Sequence, residues 1–231
     1  MRYSKDHKAE THERIVRHAS AQLREKGTRG VGVADLMKEA GLTHGGFYAH
    51  FDSREDLVIE AIAHAMDQTT ERWGKQVKDK AVADRLALLV DSYLTPQHRD
   101  HPEKGCAIPA LAGDVVRESP KTRRMFLNKL EQMISVFTGQ VSDADSAEAR
   151  QQAIGTIATL MGTVVLARVA GGSAFSQEVL DAGRAMALGR SALGRSAPGK
   201  STPGKSEPGV SAKAKPRKKE APRTRAAKAH A

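Results

Sequence analysis

Apolar positions recur along the chain every three or four residues, and runs that alternate with period two are scarce. Such spacing lines one face of a helix, so the pattern predicts an all-α protein. The first predicted helix covers residues 8–26. There Ile15, Ala19 and Leu23 fall at i, i+4 and i+8 with Val16 beside them, and Gly27 stops it. Two short helices follow, over residues 33–40 and 43–51, parted by Gly41 and Leu42. Ser53 is a natural N-cap, and Glu55 and Asp56 put negative charge in the first turn of a longer helix. That helix carries Leu57, Ile59, Ile62 and Met66 towards Trp73. Further helices are expected over residues 81–94, 106–118, 121–141, 144–170 and 176–188. Pro96 ends the first of these before a polar loop to Lys104, and Pro109 sits in a first turn, where its missing N–H breaks no helical bond. The apolar-leaning run 153–170 is interrupted by Gly, Thr and Arg168, so it reads as a buried helix and not as a membrane span.

Composition changes the picture after Gly189, where Pro, Lys, Ser and Ala replace the apolar pattern. Such a segment buries too little surface to offset its ordering entropy, and residues 190–231 are expected to be a disordered basic tail. Those residues hold 12 Lys and Arg against 2 Asp and Glu, leaving 25 of each sign in the rest of the chain. The net charge of +10 therefore belongs to the tail and proves nothing about the helical part. The tail has two readings, a solubilising extension or a source of non-specific DNA affinity through counterion release. A single cysteine excludes an internal disulfide and fits a reducing cytoplasm. Residues 1–14 are polar and charged, so no signal peptide and no membrane association are expected.

The stretch from Val33 to Phe51 carries the candidate chemistry. Two helices of about eight residues joined by a tight Gly turn make a helix-turn-helix, whose second helix enters the major groove of DNA. On that helix Phe47 and Phe51 share one stripe and would pack towards Leu36, while Thr43, His44, Gly45 and Tyr48 fall on a neighbouring face. Gly45 and Gly46 would let backbone N–H groups approach a phosphate closely. Tyr48 and His50 are phosphate-contact types, which position without specifying sequence. Only His44, with Thr43 and Gly45, is placed to touch base edges.

The run Gly41-Leu-Thr-His-Gly-Gly-Phe-Tyr-Ala-His-Phe51, followed by Ser53-Arg-Glu-Asp-Leu57, resembles the TetR/AcrR family of bacterial regulators. The match is dense over residues 10–60. The resemblance implies a three-helix DNA-binding domain (residues 1–52) and a larger helical ligand-binding and dimerisation domain (residues 53–189). It also implies a homodimeric repressor that a small molecule or electrophile releases from a palindromic double-stranded operator. DNA contacts carry over onto Thr43, His44, Gly45, Tyr48, His50 and Arg54. Val33 and Met37 depart from the family pattern, which has a hydroxylated residue and an alanine there. An activator or dual regulator of the same fold, and a less specific architectural binder acting through the tail, stand as alternatives.

Several residues outside the motif invite a role. Cys106 follows a glycine at a predicted helix start, where the dipole would lower its pKa. It is a candidate redox or effector sensor, or else a small buried residue. Met66, Trp73, Tyr93, Met133, Phe137 and Met161 could line an apolar effector pocket or be plain core. His98 and His101 lack the further ligand pattern a metal needs, so they read as a solvated loop and no metal site is expected. Small and apolar residues of the last two helices, among them Ala153, Gly155, Ala158, Gly162 and Ala167, suit a four-helix dimer interface or an intrasubunit core. No paired carboxylates, nucleophile triad or phosphate-cradling loop is present, so neither an enzyme nor a cofactor is expected.

Overall fold

The computed structural model describes residues 5–143 and 146–189. The tail, expected to be disordered from residue 190, lies outside the described residues. Among the described residues there is no strand, and nine α-helices carry the chain. They are α1 (Lys5–Lys26), α2 (Val33–Glu39), α3 (Arg54–Val77), α4 (Val82–Tyr93), α5 (Pro96–Asp100), α6 (Ile108–Val115), α7 (Pro120–Val141), α8 (Ala147–Ala170) and α9 (Ala174–Ala187).

The N-terminal elements form as their patterns dictate. Ile15, Val16, Ala19 and Leu23 of α1 are buried, and Gly27 ends the helix at φ +78°. Gly41 ends α2 at φ +74°; its N–H reaches Lys38 O and that of Leu42 reaches Met37 O, at 3.0 and 2.8 Å. That pair of bonds is a Schellman close, and the left-handed residue it needs is why a glycine stands there. The second helix of the motif departs from expectation: His44–Ala49 is a 3-10 helix, not an α-helix through Phe51. Two adjacent glycines, each costing about 1 kcal/mol of helix propensity, leave too little to hold an α-helix in six residues.

Ser53 caps α3 by accepting from Asp56 N at 3.1 Å. α3 is the central beam, packed on α1 and α7, with Leu57, Ile62, Met66 and Trp73 buried along it. Trp73 meets Phe137 edge-on with ring centroids 5.2 Å apart, and Met133 and Leu89 are buried in the same core. The expected loop after Pro96 is in part a helix: Thr95 accepts from His98 N at 3.1 Å and Pro96 occupies the first turn of α5. α6 is shorter than expected and begins two residues after Cys106.

α8 and α9 pack on each other closely. Gly183 permits this, because a methyl group there would overlap the Thr163 side chain. By length and composition α8 would suffice to cross a bilayer. One of its faces, with Ala153, Ile157, Leu160, Val164 and Ala167, is buried in the core. Its other face is exposed and apolar. Ile154, Val165, Leu166 and Val169 point outwards with Gly155, Ala158 and Gly162 between them, and Val169 is 84% exposed.

Candidate DNA-reading head and effector cleft

The 3-10 segment sits on α2 through Phe47, which is buried and stacks on Phe51 at 5.4 Å. His12 of α1 stacks on the other side of Phe51 at 4.5 Å, and its Nε2 lies 2.7 Å from Glu60 of α3. This buried stripe turns the opposite face of the segment outwards. Thr43, His44 and Gly45 are exposed, and Tyr48 is 68% exposed with its ring edge-on to His44. Four of the expected contact residues thus share one open surface.

The other two sit differently. His50 is half-buried, and burial, with His12 and Lys8 nearby, holds its imidazole below the usual histidine pKa. It is uncharged at neutral pH, so it offers a hydrogen bond and not a charge. Arg54 is exposed, and one nitrogen of its guanidinium donates to Thr28 O and Val31 O, anchoring the loop between α1 and α2.

A cleft of about 500 Å³ opens between α3, α4 and the segment 95–106. Its inner side has Thr69, Trp73 and Tyr93, and its far wall has His98, Gly105 and Cys106. Arg72, His101 and Lys104 stand at its exposed mouth. Of the six residues expected to line a pocket, Trp73 and Tyr93 do so. Met66, Met133 and Phe137 are closed core, and Met161 lies behind Tyr93, whose hydroxyl reaches its sulfur at 2.7 Å. Helical spacing marks these residues as inward-facing, and it cannot tell a filled interior from a void.

The expectation of a low-pKa Cys106 is overturned. Its side chain is 1% exposed, and burial pushes the thiol up, against smaller lowering effects from the Ile108 backbone, Tyr93, Thr69 and Arg24. The helix dipole falls off within the first turn, and Cys106 lies outside α6. His98 is also not part of a solvated loop. Its Nδ1 lies 2.8 Å from Tyr93 O, and its Nε2 lies 3.0 Å from the Cys106 backbone nitrogen. A carbonyl can only accept and an amide can only donate, so the ring is neutral with its proton on Nδ1. Burial is the main cause that holds its pKa down at about 4. Gly105 is required here, because any side chain would overlap the His98 ring. With both nitrogens engaged, His98 has nothing left for a metal.

Four arginines from four helices clasp the wall segment by its backbone. Arg24 of α1 donates to Glu103 O at 3.0 and 2.6 Å, and Arg72 of α3 donates to Lys104 O at 3.1 Å. Arg168 of α8 donates to His98 O and Arg99 O at 2.9 and 3.1 Å, and Arg184 of α9 to Leu94 O at 2.7 Å. Arg24 is buried, and desolvation lowers its pKa to about 10. Beside this clasp, Thr28 at the end of α1 donates its N–H to Asp114 at 2.9 Å and its hydroxyl to Glu118 at 2.7 Å. Sequence reasoning missed Arg24, Asp114 and Glu118. Their partners are a backbone carbonyl and a threonine about eighty to ninety residues away, which leave no local signature.

Residues 15–61 match the family described as bacterial regulatory proteins, tetR family. A fatty acid metabolism regulator protein of Bacillus subtilis (strain 168) is 26% identical over 159 residues, covering 66% of this chain and 82% of that protein. The reduced form of NemR from E. coli has the same fold, with a TM-score of 0.67 at 20% identity over 78% of this chain and 96% of that one. FadR from Bacillus subtilis in complex with stearoyl-CoA gives a TM-score of 0.56 at 21% identity, covering 74% and 96%. Residues 15–61 thus belong to the tetR family of bacterial regulatory proteins, and the chain has the fold of the TetR-family regulators it resembles, a helix-turn-helix followed by a larger helical part.

Proposed function

We propose that this protein is a cytoplasmic homodimeric repressor that a small molecule, bound in the cleft, releases from a palindromic operator. Residues 1–52 form the reading domain in this scheme and residues 53–189 the effector and dimerisation domain. Thr43, His44, Gly45 and Tyr48 meet the DNA, with His50 as an uncharged neighbour. His44 and Thr43 address base edges and Tyr48 a phosphate. The observation that carries the proposal is the direct bonding of the cleft wall to the reading domain, Arg24 to Glu103 O. An effector that moves residues 101–105 moves the partner of α1, and α3 runs from the cleft at Trp73 to the head at Arg54. Release then requires that the effector bind the DNA-free arrangement more tightly than the bound one. The relatives support a small-molecule effector: one is named for fatty acid metabolism, and one fold neighbour holds stearoyl-CoA. Cys106 serves in this reading as a wall of the cleft, without covalent chemistry.

A gel shift on the DNA upstream of the protein's own gene tests the reading domain. Tyr48→Ala, which removes an exposed side chain, is expected to weaken binding about tenfold, the equivalent of one good phosphate hydrogen bond. Unchanged affinity would remove Tyr48 from the interface.

A further inference from the structure

The charge around the cleft is one-sided. Among the described residues no Asp or Glu lines it, while Arg72, Lys104 and His101 stand at its mouth. Behind the wall lie the guanidinium groups of Arg24 and Arg168, which donate to backbone carbonyls. None of the ion pairs among the described residues neutralises Arg24, Arg72 or Arg168. Glu103 is not in the lining, and it faces His101 at 3.2 Å and Lys104 at 3.8 Å. A cation entering would meet repulsion with no carboxylate to offset it, and clefts lined by one sign of charge focus that field. The single bond from Arg72 to Lys104 O leaves other guanidinium donors open. The inner side holds the Trp73 and Tyr93 rings, 6.3 Å apart, inclined at 52° and themselves buried, with the polar side chains of Thr69, Gln76, Ser92 and Gln97 beside them. His98 adds no free polar group, since both its nitrogens are bound within the wall.

We infer that the cleft takes a small organic anion bearing a carboxylate. Its charge meets Arg72 and Lys104 at the mouth, and the rest of it fills the cleft in front of Trp73 and Tyr93. The volume of about 500 Å³ is that of a small-molecule site. This inference rests on the effector reading above but names the chemistry of the ligand, which that reading leaves open.

Trp73 is the sole tryptophan, so its indole N–H signal in the ¹⁵N-labelled full-length protein reports this site alone. Titration with 2-naphthoate is compared with the neutral 2-naphthamide. The acid is expected to shift the Trp73 signal and to bind at least about tenfold more tightly than the amide, with affinity falling as salt rises. Arg72→Gln is expected to lower the acid's affinity about tenfold and leave the amide's unchanged. Lys104→Gln, at an exposed position, gives a second reading if Arg72→Gln fails to fold. Equal affinity for acid and amide, no shift with the acid, or an unchanged affinity in the folded variants would overturn the inference. Operator release is scored separately. Acid binding without release sinks the effector reading alone, and release by neutral ligands that occupy the Trp73 site sinks the anion alone.

Discussion

His98 holds the cleft wall as a neutral ring, and that fixes a pH dependence. Its pKa lies at about 4 in the fold against an ordinary 6.5, because burial disfavours the imidazolium and because Nε2 must accept from the Cys106 amide. Between those two values the unfolded chain takes up a proton that the folded chain refuses. The stability this residue contributes is therefore complete above about pH 6.5 and is lost as pH falls towards 4, by up to about 3 kcal/mol. His50 and His64, both also lowered by burial, act in the same direction. Denaturant unfolding at a series of pH values should show this decline, and His98→Asn should flatten part of it while lowering stability at pH 7. A variant whose pH dependence equals that of the native chain would remove His98 as its source.

At the scale of elements, the clasp on residues 94–106 ties α1 and α3 to α8 and α9. Arg24→Met keeps the aliphatic stem but leaves Glu103 O without its buried donor, a loss of about 1–3 kcal/mol. Hydrogen exchange should then quicken at the amides of residues 101–106, and unchanged protection there would show that Arg24 does not hold the wall. None of this was visible in the chain, because a backbone acceptor has no residue type. What was visible was periodic or punctuated. The turn at Gly41, the Ser53 cap and the buried stripe of Phe47 and Phe51 stood where the pattern put them. Errors fell where two local effects competed. Gly45 and Gly46 shortened the second motif helix to a 3-10 turn, and Pro96, expected only to end one helix, begins the next. The pocket was half legible. Trp73 and Tyr93 were identified, yet the polar and basic lining comes from Arg72 on the outer side of α3 and from His98, His101 and Lys104 in the short segment after Pro96, none of which apolar periodicity marks.

At the scale of the whole molecule, the exposed apolar face of α8 asks for a cover. Val165, Leu166 and Val169 are large, outward-facing and interleaved with small residues that admit a close helix. Such a face is a liability on a monomer and an asset on a two-fold dimer, where the same patch meets itself. Two reading heads related by that axis would address two half-sites, so symmetry in the protein and in the DNA stand or fall together. Footprinting on the DNA upstream of the protein's own gene tests this link most directly, with the full chain, the chain truncated after Gly189 and Val169→Glu compared. A homodimeric regulator predicts one discrete protected segment of two-fold symmetric sequence, kept on truncation and lost in Val169→Glu together with the dimer mass in sedimentation. Uniform protection that vanishes with the tail, or an unaltered footprint from a monomeric Val169→Glu, would contradict it.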